Sequence, residues 1–101
     1  MAARDLLGVI FRADFMTSAQ ALPRVTVFSR AGCHLCERVV ATVRSVQAKR
    51  ALVLEVRDIE ADPDLLDRYW DAIPVVLVEG REIARHRLAA EDLVTALGGE
   101  G

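Results

Sequence analysis

Apolar and polar positions follow two different periods along the chain, and the period changes at clear breaks. Arg24–Ser29 is short and rich in β-forming residues (Val25, Val27, Phe28), which predicts a buried strand. Ala31-Gly32 interrupts it. A helical spacing then runs from about Cys33 to Lys49, with Leu35, Val39, Val43 and Val46 as its apolar stripe and Cys36 and Val40 beside them. Lys49 and Arg50 close this helix, where cations suit the dipole. Leu52–Asp58 is a second predicted strand, with Val53, Leu54 and Val56 as its β-forming core. Asp62-Pro63 opens a second helix that runs to about Trp70: Asp suits the N-cap, and Pro at the first helical position loses no needed N–H. Pro74–Val78 is the third strand, Glu79-Gly80 a tight turn, and Arg81–Arg85 the fourth strand, centred on Ile83. A last helix spans about Ala89–Leu97, with Leu93, Val94 and Leu97 facing inward, and Gly98-Gly99 stops it.

The predicted order is β-α-β-α-β-β-α. Its first β-α-β unit gives a right-handed parallel pair, and the hairpin adds antiparallel strands, so the expected architecture is α/β with a four-stranded mixed sheet. Residues 1–22 stand apart as an N-terminal arm before a domain at 23–101. Leu6, Leu7, Ile10, Phe11 and Phe15 fit one helical face that suits packing on the domain or on a second subunit. Ala19-Gln20-Ala21 resembles a signal-peptidase site, but the apolar stretch before it is short and is followed by Arg12 and Asp14. Asp5 and Asp14 argue against an organelle transit peptide, so the expected location is the cytoplasm.

Composition narrows the function. At 52% hydrophobic residues, the chain has enough apolar surface for a core without metal or several disulfides. A formal net charge of −2 gives no electrostatic case for nucleic acid or an anionic membrane as partner. No apolar run approaches the roughly 20 residues that span a bilayer. Only two cysteines occur, too few for a disulfide-built scaffold, and they form Cys33-His34-Leu35-Cys36.

This pair falls where a strand feeds a helix, with Cys33 at the helix start. Unpaired N–H groups and the positive end of the dipole stabilise a thiolate there, and the thiolate is the reactive form. Cys36 lies one turn further on the same side, close enough to bridge. The expected roles follow: Cys33 exposed and attacking a substrate disulfide, Cys36 more buried and resolving the mixed disulfide. Arg30, three residues before the motif, is placed to favour the thiolate or to hold an acidic substrate group. His34 reads as a solvated helix residue whose charge is available near neutral pH to modulate Cys33.

The run Ser29-Arg30-Ala31-Gly32-Cys33-His34-Leu35-Cys36, then Ile73-Pro74 before a strand, then Glu79-Gly80, resembles a glutaredoxin. It is most similar to the small bacterial glutaredoxin-like proteins of the thioredoxin superfamily, over about residues 24–97. The resemblance implies a thioredoxin-like fold and a thiol–disulfide oxidoreductase acting by dithiol exchange on protein or glutathione mixed disulfides. No bound cofactor is implied; glutathione serves as reductant. It also implies that Pro74 is a cis-proline facing the cysteines, that the Ile73 backbone pairs with bound peptide or glutathione, and that Arg30 takes the place of the basic residue that meets a glutathione carboxylate. The chain differs from glutaredoxins in having His34-Leu35 for Pro-Tyr and Ala72-Ile73 for Thr-Val. It has Arg85-His86-Arg87-Leu88 in place of the Gly-Gly turn and the Ser/Asp contact to the glutathione amino end.

Other readings remain beside this one. A closed zinc site needs about four ligands; His34 does not easily join both cysteines on one ion, which leaves only His86, so no metal site is expected within one chain. Metal or cluster carriage by a dimer is one alternative, and a non-catalytic thioredoxin-fold binding module that uses the arm is another. Oligomeric state stays open. His86, between two arginines, reads as a solvated turn, with a grip on an acidic ligand as the sharper role. Tyr69 and Trp70 are expected to pack in the core or cover a sheet edge. Asp58, Glu60, Asp62 and Asp64 read as a solvated loop and helix start.

Overall fold

The computed structural model describes residues 22–98. The expected arm at 1–22 lies outside the described residues except for Leu22, which is exposed. The elements follow in the predicted order: β1 (Arg24–Ser29), α1 (His34–Gln47), β2 (Val53–Asp58), α2 (Pro63–Tyr69), β3 (Val75–Val78), β4 (Arg81–Arg85) and α3 (Ala90–Ala96). Boundaries differ from expectation by one or two residues, as helix ends do when the last turn tightens. Lys49 and Arg50, for instance, continue α1 only as a turn, both donating to the Val46 carbonyl at 2.9 Å.

The four strands form one mixed sheet in the order β2-β1-β3-β4. β1 pairs parallel with β2 (Val25 opposite Leu54) and antiparallel with β3 (Val27 opposite Val76). β3 and β4 form the hairpin, whose register slips between Val76 and Leu77. Its turn places both Glu79 (φ 51°) and Gly80 (φ 81°) in the left-handed region, which matches the twist of the flanking strands. The Glu79 carboxylate accepts the Arg24 N–H at 2.6 Å, and this ties the turn to the start of β1.

Each sheet face carries its own core, because side chains alternate along a strand. On one face Val25, Val27, Val76 and Val78 meet Val39, Val43 and Val46 of α1 and Leu93 of α3. The smaller core on the other face joins Phe28 and Val75 to Ile59, Leu65 and Ala72. Tyr69 belongs to it, with its ring centroid 4.9 Å from that of Phe28.

Exposure and capping refine three of the sequence readings. Val53 and Val56 are 40% and 46% exposed, because β2 is an edge strand that the helices cover only in part. Trp70 is 60% exposed and packs in neither core. The acidic run is a solvated loop and helix start, as expected, and two of its members also act as caps, Asp62 as predicted and Asp58 in addition. Asp58 accepts the Glu60 N–H at 2.8 Å and caps a 3₁₀ turn, Ile59–Ala61. Asp62 accepts the Asp64 and Leu65 N–H groups at 3.0 and 3.4 Å and caps α2. The 3₁₀ turn buries Ile59 completely.

Candidate functional site

The cysteine pair is set by the turn between the end of β1 and the start of α1. Gly32 has φ +78°, a conformation that L side chains rarely adopt, and it swings the chain from strand to helix. Cys33 follows as the N-cap of α1, with extended backbone (φ −93°, ψ 104°). Its Sγ accepts the Cys36 backbone N–H at 3.1 Å, so the sulfur takes the place of the usual capping oxygen. Cys33 and Cys36 are joined as a disulfide, with a Cα–Cα distance of 5.2 Å. Cys33 is partly exposed and Cys36 is 1% exposed.

Around the pair, the other sequence-predicted residues take separate places. The Arg30 guanidinium is ion-paired with Glu60, which ties the turn before Cys33 to the 3₁₀ turn after β2. The His34 side chain is 92% exposed, with Nδ1 3.6 Å from the Glu37 carboxylate. The Ile73-Pro74 peptide bond is cis, just before β3; Pro74 is fully buried and Ile73 partly so.

His86 is exposed at a bend after β4, as expected, but it carries a tether that sequence reasoning missed. Its backbone N–H donates to the Pro74 carbonyl at 2.7 Å, and its Nε2 lies 3.1 Å from the Asp71 carbonyl oxygen. A carbonyl only accepts, so Nε2 carries the proton of this bond. Both bonds hold the segment that leads through the cis-proline. The backbone of His86 is left-handed (φ 70°), which His tolerates better than most residues. Its place between two arginines at a strand end carried no signal of this tether.

Two grooves flank the helix that carries the pair. The first, about 580 Å³, runs along its β2 side and is lined by Arg30, Gly32, Cys36, Val40, Arg44 and Val56, among others. The second, about 490 Å³, lies between α1 and the segment after β4, and is lined by Leu35, Arg38, Val39, Thr42, His86, Arg87 and Leu88. Arg30 and Cys36 thus meet in the first groove, whereas Ile73, Pro74 and His34 line neither. Arg85, next to the second groove in sequence, is engaged elsewhere. Its hydrogen bond to Glu82 holds that carboxyl below the ordinary glutamate range.

This arrangement agrees with what the chain is similar to. The family model for the glutaredoxin-like domain (DUF836) matches residues 24–98, the whole of the sheet and its three helices. The chain belongs to the glutaredoxin-like family. Among solved structures of similar shape is the solution structure of Ne2328 from Nitrosomonas europaea. It is 32% identical, covers 76% of this chain and 93% of its own, and has a TM-score of 0.68. Thioredoxin 1 of Thermosipho africanus shares the fold, with a TM-score of 0.52 at 17% identity over 71% of this chain and 86% of its own. The uncharacterized protein Rv0508 of Mycobacterium tuberculosis is 30% identical over 79 residues, 68% of this chain and 81% of that protein. This glutaredoxin-like chain therefore has a thioredoxin fold with a Cys-x-x-Cys pair at the start of its first helix.

Proposed function

We propose that the chain is a thiol–disulfide oxidoreductase that works by dithiol exchange through Cys33 and Cys36. One observation carries the reading: the partly exposed sulfur caps a helix while its buried partner sits one turn behind, within bridging distance. In the reduced chain the Cys36 N–H, already aimed at the Cys33 sulfur, supports a thiolate there, as do the unpaired N–H groups of the first turn. The Cys33 thiolate attacks a substrate disulfide, forms an S–S bond to one substrate sulfur and expels the other as a thiolate. The Cys36 thiolate then attacks Cys33 Sγ and releases the first substrate sulfur. Two electrons have passed from the pair to the substrate, and the chain is left in the bridged form described above. Two glutathione molecules restore the dithiol and leave as glutathione disulfide. The setting proposed for this cycle is the cytoplasm, and its substrates are protein disulfides or glutathione mixed disulfides. Arg30, Ile73 and Pro74 are the proposed substrate contacts, and His34 the modulator of Cys33.

Thiol trapping across glutathione redox buffers tests this. The wild-type chain is expected to show one reversible two-electron transition, which Cys33→Ser abolishes. Cys36→Ser is expected to accumulate a mixed disulfide at Cys33. Thiols that stay unpaired across the whole range would remove the reading.

A further inference from the structure

The second groove has a chemistry that the dithiol cycle does not use. It is lined by two arginines from different elements, Arg38 on α1 and Arg87 after β4, together with the apolar Leu35, Val39 and Leu88. Leu35 is 51% exposed although it stands immediately before the buried Cys36. Two other arginines near the site are paired, Arg30 with Glu60 and Arg85 with Glu82, and Arg44 lines the first groove instead. Among the described residues, Arg38 and Arg87 have no carboxylate within 4.0 Å. His86 lines the same groove, but its ring is bonded to the Asp71 carbonyl. Two planar cations, unpaired among the described residues and next to apolar side chains, fit carboxylates carried on a chain with some apolar surface.

Spacing then limits where such a carboxylate sits. Arg38 follows Cys33 by five residues, about 7.5 Å along a helix axis. An extended chain covers about 3.3 Å per residue, so this distance corresponds to two or three residues of a bound strand, and the length of the Arg side chain extends it to four. We propose that the groove of Arg38, Arg87 and Leu35 selects protein disulfides that have an Asp or Glu two to four residues from the attacked cysteine. This rests on the dithiol reading above. The occupant is an acidic protein segment. Arg38 and Arg87 are specificity residues that touch the flanking chain, not the reacting sulfurs.

The test uses the reduced full chain and three peptide disulfides of one sequence. They differ only in an Asp-Glu, Ser-Gln or Lys-Lys pair two to four residues from the cysteine. Glutathione disulfide is the fourth substrate, and the readout is the ratio of kcat/KM values. The acidic peptide is expected to exceed the neutral one about tenfold at low ionic strength, a gap that 0.5 M salt reduces, since partly exposed charge contacts are screened. Arg38→Gln with Arg87→Gln is expected to bring the ratio to about one. Arg38→Glu with Arg87→Glu is expected to reverse it in favour of the Lys-Lys peptide. Lys49→Gln with Arg81→Gln removes the same charge from the far ends of α1 and the hairpin, and is expected to keep the wild-type ratio. Equal wild-type rates on all three peptides would overturn the proposal and leave the oxidoreductase reading standing. So would a preference that survives loss of both arginines, or an arginine-dependent preference for glutathione disulfide over the acidic peptide. No exchange with any of the four substrates would overturn both.

Discussion

At single residues, the site depends on conformations as much as on reactive groups. Gly32 shows this most simply. A Cβ added there meets no atom within 4 Å, so nothing clashes, and the cost of a side chain comes only from its φ of +78°. Gly32→Ala is expected to lower stability by about 1–2 kcal/mol, measured as a shift in the urea midpoint with the slope unchanged. Residues whose type carries their role were legible in the sequence. Cys33 and Cys36 announce themselves by spacing and place, and Asp62-Pro63 by capping chemistry. The tether of His86 and the exposure of Trp70 were not legible, for a shared reason. Their surroundings come from elsewhere in the chain: His86 bonds to carbonyls at 71 and 74, and Trp70 falls where neither core extends. No local pattern encodes a partner that lies more than ten residues away, or the end of a packing surface.

The elements themselves were almost wholly visible, since their order rests on periodicity that any consistent fold must respect. What escaped was the 3₁₀ turn Ile59–Ala61, too short to show a period, and the position of β2 at the sheet edge. Edge or centre is decided by which strands pair, and the one composition signal was Glu55, Arg57 and Asp58 in β2, where the central β1 and β3 carry three β-branched residues each. Helix α2 is the element most dependent on its ends. At seven residues it is far below the length at which a helix is stable alone. Its stability comes from the Asp62 cap and from Leu65 in the smaller core. Asp62→Ala is therefore expected to cost about 1 kcal/mol, with Asp62→Asn recovering most of it, both measured by chemical denaturation.

At the largest scale, the described residues form a sheet with a thick core under α1 and α3 and a thinner one under α2. Cys36 packs at the head of α1, at the edge of the thicker side, whereas Cys33 stands at its surface one turn away. This difference in depth gives the reduced chain an internal gauge. Towards a bulky maleimide offered under native conditions, it is expected to behave as a protein with one cysteine. The second sulfur becomes countable only when α1 separates from the sheet. Intact mass after a timed pulse would then report adducts of one and two labels. The growth of the doubly labelled peak would measure how often the helix opens, without a dye, a tag or any introduced residue.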